Sequence, residues 1–436
     1  MEDEIPFEVP EGWAWCKLND IYNFIDYRGA TPTKITNGIP LVTAKNVKSG
    51  YIDYTIDDYI SEEEFKERQQ RGISKKGDIL FTTEAPLGNA ALADMEKFSA
   101  GQRLITFQQY GSKNELINYV MLMFILSDFF QQQLYVNKTG STVAGIKATI
   151  LKTLWIPVPP YNEQLRISNT LKSAINLIDS ISQNKEILST SISNTKSKIL
   201  DLAIRGKIVP QDPNDEPASV LLERIRAEKE ELIKQGKIKR DKKESVIFKG
   251  DDNSYYGIHL PDSWNWASLR EIALSISDGS HNPPPNNGSG IPLLSAANIN
   301  DNSILMNEIS RWITNEEWKI ENQRTNIEVG DVLLTIVGSI GRSAVVQNNN
   351  HFALQRSVAV IKPCLINPLY LMHIVQSPQI QKWLTDNSKG TAQKGIYLNA
   401  LSLMIIPIPP LAEQARIVEL IHIAYKQLDL ISNALL

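Results

Sequence analysis

The sequence predicts an α+β protein made of two similar α+β domains, each followed by a long helix. Three observations carry this prediction. The chain says nearly the same thing twice: Trp13, Trp15, Leu18, Ile21, Ile39-Pro40 and Asn46 return in order as Trp264, Trp266, Leu269, Ile272, Ile291-Pro292 and Asn298. Both copies close on one string, Ile156-Pro-Val-Pro-Pro160 with Glu163-Gln164 and Ile406-Pro-Ile-Pro-Pro410 with Glu413-Gln414. Each string is followed by an apolar heptad, which is the mark of a coiled-coil seam. A repeat of this size means two like domains, because solenoid periods are far shorter.

Within each copy the pattern is mostly β. Short apolar runs such as Asp78–Thr82 and Asp331–Ile336 are bounded by Gly, Pro and Asn turns. Gly77-Asp78, Gly88, Gln102-Arg103 and Gly145-Ile146 match Gly330-Asp331, Gly341, Gln355-Arg356 and Gly395-Ile396. One helical stretch is expected near Leu116–Val136 and again near Pro368–Asp386. The proline string then stops one element and launches the next, since proline disfavours the α region before it and is tolerated at helix starts.

The first long helix should run from Tyr161 to Arg205. Its two seam rows are Leu171, Ile178, Lys185, Ile192, Ile199 and Ile167, Ala174, Ile181, Leu188, Thr195, Leu202. Only Lys185 and Thr195 break the apolar register. Residues 206–250 read as a polar turn, a short charged helix (Ala218–Gln235) and a basic run from Lys237 to Lys243. A solvated linker is favoured for that run over nucleic-acid contact. The second helix repeats the seam with Ile417, Ile421, Ala424, Leu428, Ile431 and Leu435. It is shorter than the first. In an antiparallel pair this leaves Ile167, Leu171 and Ala174 expected to lack an intramolecular partner. The expected layout is therefore 1–160, 161–205, 206–250, 251–410 and 411–436.

Composition narrows the function. No apolar run is long enough to span a bilayer. The acidic start, MEDEIPFEVP, lacks the layout of a signal peptide. Cys16 and Cys364 fall at non-equivalent points of the repeats, which disfavours a disulfide framework. These features point to the cytoplasm. The formal net charge of −4 argues against whole-chain attraction to nucleic acid, so any DNA contact must rest on local patches. There is no phosphate-binding glycine loop, nucleophile elbow or His-Glu-x-x-His, and none of the five histidines recurs at its repeat equivalent. A catalytic or metal centre is not expected.

Candidate binding residues lie where the copies diverge. Arg28, Thr31 and Lys34 face Ser280, His281 and Asn282 across the repeat. Lys138, Thr139, Ser141, Thr142 and Lys147 face Lys389, Thr391, Gln393, Lys394 and Tyr397. Such side chains pair with base edges and phosphates, although polar residues with Gly and Pro are also what loops contain. Arg103 and Arg356 are read as sitting in apolar strands, either in a framework ion pair or at a DNA contact. Arg342, beside Gly341, joins the candidates.

The Pro-x-x-Trp-x-Trp-x-x-Leu opening (Pro10–Leu18, Pro261–Leu269), the doubled proline string and the stretch Ile199–Pro213 closely resemble the specificity subunits of type I restriction–modification enzymes. The resemblance implies two target-recognition domains joined by helices packed as an antiparallel coiled coil. It implies a non-catalytic subunit whose domains each read one half of a bipartite site in double-stranded DNA. It further implies docking of two methyltransferase subunits, which carry S-adenosylmethionine, and of restriction/translocase subunits. The chain itself would hold no cofactor. Ile167, Leu171, Ile178, Ile181, Leu188, Ile192, Ile199, Ile417, Ile421, Leu428 and Ile431 are the expected seam and partner residues. Two other readings remain: a bivalent protein scaffold, marked by absence of sequence-specific DNA binding, and an enzyme with an unfamiliar site, marked by activity of the isolated chain.

Overall fold

A computed structural model describes residues 6–27, 31–55, 57–110, 116–140, 144–240, 255–390 and 394–435. The chain divides into two compact units, Met1–Ser182 and Gln183–Leu436. Each holds one α+β domain.

The first domain is built around strand Ile79–Thr82, buried at every position. It lies in a four-stranded antiparallel sheet in the order Tyr22–Asp26, Leu104–Gln109, Ile79–Thr82, Ala90–Leu92. Successive side chains of a strand point to opposite faces. Ile79 and Phe81 accordingly join the core under helix Asn118–Ile125, while Leu80 joins the core under strand Ile39–Val42. That strand centres a three-stranded sheet with Tyr59–Ile60 and Ser99–Ala100. Being covered on both faces explains why the central strand reads as a continuous apolar run.

The second domain repeats this plan. Its four-stranded sheet runs Ala273–Asp278, Val358–Pro363, Val332–Thr335, Ser343–Val345. Its three-stranded sheet runs Trp312–Ile313, Ile291–Leu294, Ala353–Leu354. Val332 and Leu334 face one core and Leu333 the other. The Trp-x-Trp strand of each copy pairs with the Ile-Pro-x-Pro strand: Trp15 lies opposite Pro157, and Trp266 opposite Pro407.

The repeated polar residues are staples. Gln164 accepts from the backbone N–H of Ile117 (2.8 Å) and donates to the carbonyl of Pro159 (2.9 Å). Gln414 does the same with Asn367 and Pro409. Each buried amide thus ties the start of a long helix to its own domain. Asn46 and Asn298 accept from the backbones of Thr43 and Ser295 and so close equivalent turns. Gln131 and Gln381 donate to the carbonyls of Gly88 and Gly341 (3.0 and 2.8 Å). A Cβ at either glycine would strike that glutamine, and both backbones have positive φ.

Three expectations are corrected. Each single helical stretch is two helices, Asn118–Ile125 with Asp128–Val136, and Pro368–Val375 with Pro378–Asp386. Ser127 caps the second of the first pair through its side chain, and Pro378 occupies the first turn in the other copy. Near the start of the long helix (Tyr161–Ile204) Ile167 is not bare, because it packs on the first domain's core; Leu171 is half-buried and Ala174 is exposed. Large apolar residues are exposed at Tyr161 and Leu165, and a denser row lies further along at Leu177, Ile178, Ile181, Ile187 and Leu188. Finally, the seam closes only over part of its length. Ile192 is buried and Ile199 packs on the second unit's core, where Ile417 and Ile421 are fully buried, but Ile431 is exposed. Glu413 meets Gln211 and Asp429 meets Lys196, so these helices run antiparallel where they pair. Leu202, Ala424 and Leu428 are half-buried, and Leu188 is exposed.

Helix Ala218–Lys234 carries Arg240 back onto Glu230 in a two-pronged ion pair (2.9 and 2.6 Å). The end of the basic run, 241–243, lies outside the described residues. Among the described residues no helix is long and apolar enough to cross a membrane.

Candidate nucleic-acid interface

Three segments far apart in sequence meet on one face of the first domain. The turn ahead of strand Leu104–Gln109 places Gln102 and Arg103 at its centre. Thr31 donates to the Gln102 side-chain carbonyl (2.7 Å), which brings in the first divergent loop. Arg103 forms an ion pair with Glu84 (3.2 Å), and the Glu84 backbone bridges Gly145 of the third segment. Thr139 and Gly145 exchange backbone hydrogen bonds (2.7 and 3.0 Å), closing the loop that Lys138 and Lys147 flank. Thr31, Lys34, Lys45, Gln102 and Arg103 line a cleft of about 300 Å³ beside this turn. Lys34 is paired with Asp58 (2.6 Å). Lys138 lies over the Tyr135 ring.

The second domain assembles the same face from different side chains. The Arg356 amide donates to the Ser280 carbonyl (2.9 Å), and Ser280 bridges Gln355. Val337 bridges Gly395, Lys389 and Gly395 exchange backbone hydrogen bonds (both 2.8 Å), and the Gly338 amide donates to the Lys394 carbonyl. Ser280 is buried and Tyr397 is 70% exposed. His281 is held against Asp278 (2.8 Å), whose carboxylate also binds Arg324. Asn282, Arg342 and Arg356 are exposed. Arg28, Ser141, Thr142, Thr391 and Gln393 lie outside the described residues.

The structure corrects the pairing of the two Gln-Arg dipeptides. Neither lies in a strand; both occupy the turn that joins the two sheets. That turn closes from Leu104 to Gly101 in one copy and from Val358 to Gln355 in the other. Gly101 therefore corresponds to Gln355, Gln102 to Arg356 and Arg103 to Ser357. The letters match one residue out of register with the backbone. The backbone confirms it: Thr83 donates to the Arg103 carbonyl (3.1 Å) and Ile336 to the Ser357 carbonyl (2.9 Å). Sequence reasoning also missed Glu84, Lys45 and Arg324. Glu84 stands two residues past the last shared strand residue, Thr82, where Val337 occupies the matching place; that divergence was a visible signal.

The model of the type I restriction modification DNA specificity domain matches residues 10–189 and 261–435, once for each copy. The chain belongs to the type I restriction–modification specificity family. Specificity subunits are the DNA-recognition, non-catalytic components of those systems. Among curated relatives, the EcoEI specificity subunit of Escherichia coli is 26% identical over 100% of this chain and 81% of its own length. The EcoBI specificity subunit of the same species is 23% identical over 98% and 82%. In fold, the specificity subunit resembles two solved chains, each at 18% identity. One comes from work on complex assembly and conformational transition of the type I R-M system (TM-score 0.61; 99% of this chain, 94% of that one). The other is the HsdS subunit from Thermoanaerobacter tengcongensis (TM-score 0.54; 98% and 93%).

Proposed function

We propose that the two domains, taken as residues 1–160 and 251–410, each read one half of a bipartite site in double-stranded DNA. The observation that carries this reading is the convergence of three separated segments on an equivalent face of each domain, with one backbone and different side chains. A shared frame with divergent contacts is what reading two different half-sites requires. Direct readout comes from side chains at base edges, while lysines and backbone amides set position on the phosphates. Thr31, Gln102, Arg103, Lys138 and Lys147 take these roles in the first domain; Asn282, Arg356, Lys389, Lys394 and Tyr397 take them in the second. Methyltransferase subunits carrying S-adenosylmethionine dock along the helices of 161–205 and 411–436, and restriction/translocase subunits join them. Leu177, Ile178, Ile181, Ile187 and Leu188 support that docking, because a row of exposed large apolar residues usually marks an interface. The assembly works in the cytoplasm, and the partners supply the phosphate affinity that a chain of net charge −4 lacks.

The test is methylation mapping of genomic DNA from cells with and without this chain, its partner subunits present in both. The expected result is one two-part motif methylated only when the chain is present. Methylation that is unchanged by its removal would overturn the reading.

A further inference from the structure

The faces differ most sharply at one pair of positions, and that difference assigns a role within the reading of the domain faces as DNA-contacting surfaces, on which it rests. In the first domain Arg103 and Glu84 form an ion pair; their structural equivalents in the second are Ser357 and Val337. Ser357 is turned to the framework, where its hydroxyl accepts from the Ala296 amide (3.0 Å). Arg103 and Glu84 point outward, with 52% and 44% of their side chains exposed. An exposed pair of this kind contributes at most about 1 kcal/mol of stability, so the fold does not require it. The domain also keeps the same backbone with neither residue, as the second copy demonstrates.

A carboxylate on a face that meets DNA is repelled by phosphates. It gains only where a base offers it a proton. Cytosine N4 and adenine N6 do so in the major groove, whereas guanine O6 and thymine O4 present acceptors that a carboxylate rejects. Glu84 adjoins Ala85, which lines the same cleft as Lys45 and Arg103. Arg103 occupies one carboxylate oxygen at 3.2 Å and fixes its direction.

We propose that Glu84 is a specificity-determining residue of the first domain, accepting a hydrogen bond from the exocyclic amine of a cytosine or adenine in the first half-site, with Arg103 as its positioning residue. The second domain, with Val337, reads its half-site without this contact.

The experiment compares the assembled methyltransferase complex carrying Glu84→Val, Glu84→Gln or Arg103→Ala with the unaltered complex. Methylated motifs are mapped in cells, and a library of duplexes randomised over the motif is selected by each purified complex. Glu84→Val should lower discrimination at a single base pair of one half-site on the order of tenfold, leaving the other half unchanged. Arg103→Ala should blur the same position. If cellular methylation is lost, the duplex selection still reads base preference. An unchanged preference at every position, or a uniform change in affinity without a change in preference, would overturn the proposal. Lys138→Ala and Lys147→Ala separate the two levels. If they weaken binding while Glu84→Val leaves preference intact, only this proposal fails. If they too leave affinity and its salt dependence unchanged, the reading of the face fails.

Discussion

The first and second domains share a set of amide staples that hold the sheets and helix starts, yet they share almost none of the side chains on the convergent face. Gln164 and Gln414, Asn46 and Asn298, and Gln131 and Gln381 make matching hydrogen bonds in both. Glu84 with Arg103, by contrast, becomes Val337 with Ser357. Identity is concentrated where a buried polar group must find one particular backbone partner, and variation where a side chain meets the solvent or a ligand. That separation lets one fold carry two different readings.

The largest expected effect contrasts the two fates of the apolar seam. Ile421 is fully buried in the second unit, so Ile421→Asp places an unpaired charge in the core and should cost more than about 4 kcal/mol. Ile178 is 60% exposed, so Ile178→Asp should stay within about 0.5 kcal/mol in the isolated chain. It should nevertheless weaken docking of the modification subunits. Denaturant unfolding and co-purification read the two effects separately; a stable Ile421→Asp protein would contradict the packing.

Acid should separate the domains next. Burial holds the His373 imidazole near a pKa of about 4, with His422 adding to the depression. Its equivalent in the first domain, Met123, does not titrate. A histidine kept neutral in the fold contributes stability that is complete above its ordinary value of about 6.5 and is lost as pH falls through it towards 4. Between pH 7 and 4.5 that loss amounts to about 2–3 kcal/mol. The variant His373→Met should therefore resist acid unfolding better than the native chain. Equal acid sensitivity would show that His373 is not the group responsible.

Smaller and symmetric effects are expected from the staples. Gln164→Leu and Gln414→Leu each leave a half-buried amide and a buried carbonyl unpaired, at a cost of about 2 kcal/mol. A large inequality between them would break the claim of a common frame. The smallest effects are those of single lysines. Alanine at Lys138, Lys147, Lys389 or Lys394 should weaken binding by the complex across all sequences and flatten its salt dependence by roughly one unit for each phosphate that is no longer neutralised. A slope unchanged by all four would remove them from the interface.

Much of this was legible in the sequence, for identifiable reasons. The doubled Trp-x-Trp and Ile-Pro-x-Pro-Pro strings marked both domains because in each copy the two strings pair as antiparallel strands. The continuous apolar runs marked the central strands because both their faces are covered. The split of each predicted helix was harder to see, since it depends on Ser127 in one copy and on Ser377-Pro378 in the other, within otherwise helical patterns. The Gln-Arg register misled because two letters matched one residue away from where the backbone turns. The seam was over-extended because a heptad records which residues are apolar, not what covers them. Ile167 finds its own domain and Ile178 stays exposed on the same register.

The most direct measurement of independent reading replaces residues 1–160 with the same region of another family member and maps the methylated motif. One half of the motif should change and the other remain base for base as it was. A motif altered in both halves, or in neither, would contradict the account.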